Sequence, residues 1–296
     1  MMNNELFLRE LEKDRLLIEE KLNEYLPVSN MKYAKLIESM RYTLLNGGKR
    51  IRGIICLKFC EAVCTTAEKA LAAACAIEML HAYTLIHDDL PCMDDDNMRR
   101  GKPANHIEYG EFTALLAGDA MQAYVFQTLL SADLPAETLV LMSQIMAETA
   151  GPNSVCAGQY LDLSSEGKIL SEDELMEIYL HKTSSLITTA ACLGILSGGG
   201  SQEQFDAAGQ YSSALGLAFQ VRDDILDYIS TEDELGKPIG SDAENQKNTL
   251  VSLLGIEKCE KLCSKLTSHA IEVLDDNFEN SEFLKTLAMY LVDRKN

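Results

Sequence analysis

The sequence predicts an all-α protein that folds as one helical bundle, and three observations support this. Only 6 of the 296 residues are proline, none is tryptophan and 6% are aromatic, while alanine, leucine and glutamate are abundant, a composition typical of helices. Apolar residues recur at intervals near 3.6 in most long segments. No alternating strand segment, internal repeat or low-complexity linker stands out. Although the length is compatible with two domains, we therefore expect a single domain over residues 1–296.

Prolines, glycines and capping residues set the bounds of the predicted helices. The first helix, 5–25, ends before Pro27, and the second, 31–45, ends at the glycine pair 47–48. Ser171 and Glu174 form a capping box at the start of a later helix. The other predicted helices are 50–63, 67–89, 111–131, 136–150, 172–197 and 202–230, and two more close the chain. Residues 99–106 and 231–248 contain glycine and proline and are predicted to be loops.

The formal net charge of −20 argues against nucleic acid and anionic membrane surfaces as partners, because both require clustered cations.

The nine cysteines include no CxxC motif, so neither a disulfide framework nor a zinc ribbon is indicated. The spacing of four between Cys56, Cys60 and Cys64 favours a buried stripe on one helix face over a thiolate metal site. The N-terminus lacks a signal-peptide core, and the longest apolar stretch, 186–196, is too short to span a bilayer. A reducing cytoplasm is the expected location.

Two aspartate clusters each follow an apolar stretch. Their members are Asp88, Asp89, Asp94, Asp95 and Asp96, and then Asp223, Asp224 and Asp227. Crowded carboxylates at the end of an apolar helix repel one another unless a cation lies between them, and oxygen donors without histidine or cysteine suit Mg²⁺. Asp223 and Asp227 share one helix face, and Pro91 predicts a helix end that lets Asp94 turn back toward Asp88. The alternative is an acidic helix end that attracts only counterions.

Seven motifs in one order resemble those of the trans-isoprenyl diphosphate synthases, most closely the bacterial farnesyl type (geranyltranstransferases). The matching segments cover nearly the whole chain and are 47–52, 78–103, 110–122, 158–162, 181–183, 219–227 and 236–249. The resemblance implies a bundle of the isoprenoid synthase type around a central apolar cavity, and a homodimer. It also implies a prenyltransferase that condenses isopentenyl diphosphate with dimethylallyl or geranyl diphosphate to give farnesyl diphosphate, by allylic ionisation, condensation and elimination.

The resemblance also implies roles for individual residues. About three Mg²⁺ ions would be held by Asp88, Asp89, Asp94, Asp223, Asp224 and Asp227. The allylic diphosphate would contact Arg99, Lys182, Lys237 and Lys247. Isopentenyl diphosphate would be bound by Lys49, Arg52, His81 and Arg100. Thr183 and Gln220 would face the developing cation, and Tyr83 with Thr84 would form the floor of the product pocket.

Spacing supports several of these roles independently. Lys49 and Arg52 are three residues apart, so both can point at one diphosphate. His81 lies nearly two helical turns before Asp88, on the same face. Arg99 can grip phosphate oxygens with two donors, which lysine cannot. Without the motif context, however, a lone histidine on an apolar helix is more often a core residue.

The bulky Tyr83 and the two extra residues within the segment DDLPCMD favour a farnesyl product. A geranylgeranyl or longer product is the alternative, because such synthases have similar motifs. A terpene cyclase is disfavoured because the site for a second diphosphate is intact, and a noncatalytic subunit because both aspartate motifs are complete. Three residues depart from the family pattern: Gly53, Asn97 and Arg222. Gly53 stands where proline is common and is expected to loosen its loop.

Overall fold

The protein is all-α, as predicted, in a computed structural model that describes residues 2–64, 66–229 and 249–293. The longer helices are α1 (Asn4–Tyr25), α2 (Ala34–Leu45), α3 (Ile51–Val63), α4 (Leu71–Asp88), α6 (Glu111–Leu129), α7 (Ala136–Ala150), α8 (Val155–Ser164), α9 (Glu172–Tyr179), α10 (Ser185–Gly198), α11 (Gln202–Ile229), α13 (Ile256–Asn277) and α14 (Glu282–Val292). Two short helices are α5 (Asn105–Tyr109) and α12 (Leu250–Leu254). Strands β1 (Met98–Arg99) and β2 (Lys102–Pro103) form an antiparallel hairpin, the one sheet in those ranges.

Helix α4 lies at the centre because its residues are small and apolar on nearly every face. It packs against α3, α6 and α10, and its alanines let these neighbours approach closely. On α6, a Cβ at Gly118 would lie 2.1 Å from Nε2 of His87, so only glycine fits there. Residues 68–88 are long and apolar enough to cross a membrane by composition, but 67% of the 18-residue window that meets this test is buried inside the fold, as in a core helix.

Two apolar clusters hold the bundle together. The larger one joins residues of α1, α2, α3, α4, α6, α7, α8, α10, α11, α13 and α14. The smaller one lies between α9, α11, α12 and α13. Helix α11 takes part in both clusters, so its C-terminal half, which carries the second aspartate motif, is fixed on two sides.

The structure departs from the predicted helices in ways that have local causes. The predicted helix 172–197 is interrupted by a π-helical turn, Leu180–Ser184, between α9 and α10. The helices α5 and α12 have five residues each, too few for a 3.6-residue period to show. The predicted loop 99–106 contains the hairpin and the start of α5. The predicted loop 231–248 lies outside the described residues.

The predicted buried cysteine stripe is confirmed for two of its three members, since Cys64 follows the end of α3 and is half-buried. Cys56 and Cys60 are buried on α3, and Cys259 and Cys263 are buried on α13. Burial raises the pKa of the Cys60 and Cys263 thiols to about 12, so they remain protonated and unreactive. All nine thiols are free.

Candidate active site

The first aspartate motif folds back on itself at the end of α4. The helix ends at Asp88, and the N–H of Asp94 donates to the carbonyl oxygen of Asp88 at 2.9 Å. This confirms the predicted turn after Pro91, which brings together two residues that a continuous helix would separate. Burial raises the pKa of Asp88 to about 7; Lys182 opposes the shift and the charge of Asp94 adds to it. A cation beside this pair would stabilise its charged form.

Lys182 approaches the same carboxylates from the π-helical turn. It forms an ion pair with Asp162 of α8. Burial works against its charge, but the carboxylates of Asp162, Asp94 and Asp88 together raise the pKa of Lys182. Gln159 of α8 also donates to Asp94, at 3.5 Å. The acidic side of the site is therefore built by α4, α8 and the π-helical turn.

Arg99 is held in place by the acids around it. Its Nε donates to Oδ1 of Asp89 at 2.9 Å, and its Nη2 contacts both Asp89 and Asp96. Asp89 is only 1% exposed; burial raises its pKa, and Arg99 opposes that shift. The carboxylate of Asp89 is thus engaged in orienting Arg99 in this structure. The hairpin β1–β2 carries Arg99 and sets its direction.

The second motif divides its aspartates between two directions. Asp224 is buried and accepts hydrogen bonds from the hydroxyl of Tyr179, the N–H of Leu250 and Nε2 of Gln220. The pKa of Asp224 is raised to about 7, because burial outweighs the opposing effect of these three donors. The charge of Asp223, in contrast, raises the pKa of Arg52 on α3. The negative charge of Asp223 is therefore felt at Arg52, and Asp227 lies one turn further along α11 on the same face.

Three arginines surround His81 beside the acidic side of the site. Arg50 is buried, Arg52 and His81 are half-buried, and Arg100 is partly exposed. Burial lowers the pKa of Arg52, although the negative charges of Glu78 and Asp223 oppose this shift. Burial and the charge of Arg50 lower the pKa of Arg100 to about 10. Burial and then the charges of Arg52 and Arg100 hold the pKa of His81 well below its usual value. Repulsion of this kind favours binding of an anion.

Two further details fit this cluster to an anion. The Nε of Arg52 is buried and has no hydrogen-bond partner among the described residues, which leaves an unmet donor for a phosphate oxygen. The guanidinium of Arg100 lies against Gly48 and donates to the carbonyl oxygen of Gly47 at 2.7 Å. A Cβ at Gly48 would lie 2.9 Å from Cζ of Arg100, and the φ of +117° there also requires glycine. The Gly47–Gly48 pair thus positions Arg100.

Glu78 supports the cations from behind. This residue of α4 is 3% exposed, its Oε1 accepts the N–H of Gly53 at 2.9 Å, and its Oε2 lies 3.6 Å from Nη1 of Arg50. Gly53 therefore ties the first turn of α3 to α4, and the expected loosening at this position is wrong. Sequence reasoning assigned no role to Glu78, Arg50, Asp162 or Tyr179. A charged residue within the apolar segment of α4 was the available signal for Glu78.

The remaining predicted residues have individual surroundings. The hydroxyl of Thr183 donates to Oε1 of Gln220 at 2.8 Å. The ring of Tyr83 lies 5.0 Å from that of His87, its hydroxyl is 4.0 Å from Sγ of Cys156, and Thr84 is bonded to the carbonyl of His81. Lys49 is exposed just before α3. Lys237 and Lys247 lie outside the described residues. Arg222 lines a pocket of about 350 Å³ with residues of α13 and α14.

The donor set fits Mg²⁺ in the way a diphosphate-dependent site requires. In the described ranges, no group of three or more carboxylate, imidazole or thiol side chains is arranged to hold an ion. Asp88 with Asp94 on one side and Asp223 on the other provide only carboxylate oxygens. Mg²⁺ commonly takes one or two carboxylates and completes its shell with water and substrate phosphates. The residues present therefore fit Mg²⁺ when a diphosphate supplies the missing oxygens.

Comparisons with known proteins agree with this arrangement. A family model described as polyprenyl synthetase matches residues 33–289. A geranylgeranyl diphosphate synthase of Cyanophora paradoxa is 42% identical over 284 residues, which is 95% of this chain and 94% of that protein. The structure of a geranylgeranyl pyrophosphate synthetase from Pyrococcus horikoshii has a TM-score of 0.89 at 31% identity and covers 98% of both chains. A Helicobacter pylori geranyltransferase, complexed with magnesium and isoprenyl diphosphate, has a TM-score of 0.85 at 30% identity, over 99% of this chain and 98% of that one.

Proposed function

The chain belongs to the polyprenyl synthetase family and is a prenyltransferase, and we propose that it joins isopentenyl diphosphate to an allylic diphosphate by Mg²⁺-assisted ionisation, condensation and elimination. One observation carries this proposal: the acidic pair Asp88 and Asp94 with Lys182 lies beside a cluster of arginines that includes Arg52 and Arg100. The first group suits a metal-bound diphosphate and the second a diphosphate bound directly. Two diphosphates side by side are what this condensation needs.

The allylic diphosphate belongs on the acidic side. Asp88, Asp94, Asp223 and Asp227 would hold Mg²⁺, which when bound stabilises the charge that develops on the leaving diphosphate. Lys182 and Arg99 add positive charge at the same place, and we assign Lys237 and Lys247 to this group from the resemblance alone. Asp89 and Asp224 are engaged with neighbouring donors, so for these two the geometry favours a positioning role. The magnesium complex of the Helicobacter pylori relative supports the choice of ion.

Isopentenyl diphosphate belongs on the cationic side. Arg52, His81 and Arg100 would bind its diphosphate, with Lys49 at the exposed edge. The allylic C–O bond breaks with both electrons leaving on the diphosphate, and the double bond of isopentenyl diphosphate then attacks the allylic carbon. Loss of a proton, with the released diphosphate as acceptor, restores a double bond. The side-chain oxygens of Thr183 and Gln220 face the intervening cation in this scheme.

We propose geranylgeranyl diphosphate as the product, because the relative with 42% identity is a geranylgeranyl diphosphate synthase. Farnesyl diphosphate is the second candidate, and the observation that favours it is Tyr83. This bulky side chain stands five residues before Asp88 and is wedged between His87 and Cys156. If Tyr83 forms the floor of the product pocket, it limits the number of isoprene units that fit.

For the assembly we propose a homodimer in the cytoplasm. Helix α6 buries Ala114, Ala117 and Met121 in the core but exposes apolar side chains on its other face: Phe112 (75%), Leu115 (47%) and Leu116 (50%). Contiguous exposed apolar residues of this size mark an interaction surface. A second copy of the chain is the proposed occupant, since a two-fold axis pairs one such face with itself.

A direct test is to incubate the enzyme with isopentenyl diphosphate and dimethylallyl, geranyl or farnesyl diphosphate, with and without Mg²⁺, and to size the products by chromatography. We expect product only with Mg²⁺ and a geranylgeranyl chain as the longest main product. A farnesyl product from all primers would select the second candidate. No condensation with any primer in the presence of Mg²⁺ would refute the proposed reaction.

The role of Tyr83 has its own test. Tyr83→Ala is expected to lengthen the main product by at least one isoprene unit, because it removes the aromatic ring from beside His87 and Cys156. Tyr33→Ala, at an exposed tyrosine before α2, is the control and should leave the product unchanged. An unaltered product from Tyr83→Ala, with normal turnover, would mean that the pocket floor lies elsewhere.

A further inference from the structure

Asp224 does not share the role of its neighbour Asp223. We propose that Asp224 is a positioning residue, which fixes the side-chain amide of Gln220 so that the carbonyl oxygen of Gln220, together with the hydroxyl of Thr183, faces the allylic carbon. The proposal rests on the proposed function of the site and adds to it the group that orients the oxygens around the cation.

The hydrogen bonds around Asp224 engage both of its carboxylate oxygens. Oδ2 accepts from the hydroxyl of Tyr179 and from the N–H of Leu250 at 3.2 Å, and Oδ1 accepts from Nε2 of Gln220 at 3.2 Å. Asp224 is 6% exposed and Leu250 is fully buried. These donors come from α9, the start of α12 and the preceding turn of α11, so Asp224 fastens three elements together.

The chemistry of this network determines which way the Gln220 amide points. Both carboxylate oxygens of Asp224 act as acceptors, and the amide of Gln220 turns its NH₂ group toward Oδ1 of Asp224. Its oxygen, Oε1, then points the other way and accepts the hydroxyl hydrogen of Thr183 at 2.8 Å. The negative end of the amide dipole is thereby presented on the Thr183 side. In a site where positive charge develops, a dipole fixed in advance stabilises the transition state.

Helix geometry explains why consecutive aspartates act differently. Adjacent residues on an α-helix point about 100° apart. The charge of Asp223 acts on Arg52, whereas Asp224 points toward Tyr179 and Leu250. Tyr179 is also the last residue of α9 before the π-helical turn that carries Lys182 and Thr183. One carboxylate thus sets the position of that turn relative to α11 as well as the direction of the amide.

The test is Asp224→Asn, which keeps the size but gives Gln220 a partner that can donate as well as accept. The amide is then free to rotate and to present its NH₂ group to the cation. We expect kcat to fall about 10- to 100-fold, in line with the loss of one oriented dipole in an active site. The KM values and the Mg²⁺ concentration for half-maximal activity should change less than about twofold, because no metal ligand is lost. Asp206→Asn, on the exposed face of the same helix, is the matched control.

Two further measurements separate this role from a metal ligand and from a purely structural residue. The first is calorimetric binding of an allylic diphosphate whose bridging oxygen is sulfur, which does not ionise. Its Mg²⁺-dependent affinity should be the same in wild type and Asp224→Asn. The second is a double-mutant cycle with Gln220→Leu, in which Asp224→Asn should have no further effect on kcat, because the residue it orients is absent.

The outcomes are distinct. Weaker analogue binding with a raised Mg²⁺ requirement would make Asp224 a metal ligand and overturn the proposal. Equal losses in kcat with and without Gln220 would also overturn it, as would a normal kcat for Asp224→Asn. If Asp224→Asn fails to fold, Tyr179→Phe replaces it in the cycle and should show the same dependence on Gln220 with a smaller loss. An inactive wild-type enzyme would refute the proposed function itself, whereas an active one without this coupling would refute only the positioning role.

Discussion

Gly53 connects the fold to the substrate site through one hydrogen bond. It is the third residue of α3, so its N–H has no partner within the helix. Glu78 accepts that N–H at 2.9 Å, and the same carboxylate lies 3.6 Å from the guanidinium of Arg50. Proline, which has no N–H, cannot make this bond. The departure from the family pattern at Gly53 therefore adds a link between α3 and α4 below the proposed isopentenyl diphosphate site.

Gly53→Pro tests this link. It leaves a buried carboxylate oxygen without its donor, and we expect the free energy of unfolding to fall by about 1–3 kcal/mol, measured by urea denaturation. Gly53→Ala is the matched variant: it keeps the N–H and adds only a methyl group 2.9 Å from Cδ1 of Ile18. If the hydrogen bond matters, Gly53→Pro is the less stable of the two. The reverse order would show that space, and not the N–H, determines this position.

Asp88 provides a second test at the level of one residue. Asp88→Asn removes a proposed Mg²⁺ ligand, and turnover should fall by about 10³-fold or more because the leaving diphosphate loses its stabilisation. The midpoint temperature of thermal unfolding, measured without Mg²⁺, should not fall. Burial raises the pKa of Asp88 and thus disfavours its charged form, so a neutral asparagine costs no stability there. Asp119→Asn, at a carboxylate that is 63% exposed on α6, should leave both quantities unchanged. Turnover above about a tenth of wild type in Asp88→Asn would contradict the assignment.

At the scale of elements, the π-helical turn Leu180–Ser184 is clamped between two glycines. A Cβ at Gly158 of α8 would lie 2.3 Å from the backbone nitrogen of Lys182, and a Cβ at Gly216 of α11 would lie 2.6 Å from Cα of Ser184. Helices α8 and α11 therefore touch the backbone of the turn directly. This close packing fixes Lys182 and Thr183 between the two aspartate motifs. Single-turn π-bulges are frequent at functional sites, and here the turn carries two of the proposed site residues.

Gly216→Ala should displace this turn. The added methyl group would lie 2.6 Å from the backbone Cα of Ser184 and 2.8 Å from its Cβ, and neither atom can move without the turn. We therefore expect the free energy of unfolding to fall by about 1–3 kcal/mol and kcat to fall as Thr183 shifts. Gly209→Ala is the control on the same helix, where a Cβ meets nothing within 4 Å. That variant should be more stable by about 0.5–1 kcal/mol, because alanine is the better helix former. Equal behaviour of the two variants, by denaturation and by steady-state kinetics, would exclude the clamp.

The sequence predicted the long helices and the motifs of the site, because periodicity and spacing are local properties. It did not predict the π-helical turn, since the residues packed against its backbone, Gly158 and Gly216, lie on other helices. Nor did it separate Asp224 from Asp223. That difference depends on Tyr179 and Leu250, which reach Asp224 only in the folded protein. Partners distant in sequence thus account for what local patterns missed.

At the scale of the whole molecule, the net charge is −20, but one site within it is positively charged. Acids outnumber bases by 46 to 26, yet the proposed isopentenyl diphosphate site gathers Arg50, Arg52 and Arg100 around His81. Glu78 lies behind these cations and opposes the fall in the pKa of Arg52 and of Arg100. A small dianionic group entering this site meets positive charge at short range, whereas a long polyanion meets the acidic surface. The global charge therefore selects against extended polyanions while the site accepts small ones.

The exposed apolar face of α6 is the proposed contact between two copies of the chain. In a homodimer this face would be buried against the same face of the second copy. A charge placed there would occur once in each copy, so the interface would bury two unpaired charges. Leu116→Glu should therefore convert the protein from a dimer into a monomer of 32.7 kDa, as measured by sedimentation velocity at micromolar concentration. Leu16→Glu is the matched control, because Leu16 on α1 is 51% exposed and Leu116 is 50% exposed; this variant should stay dimeric. A monomeric wild type, or a dimer that survives Leu116→Glu unchanged, would show that the apolar face of α6 does not join two copies of the chain.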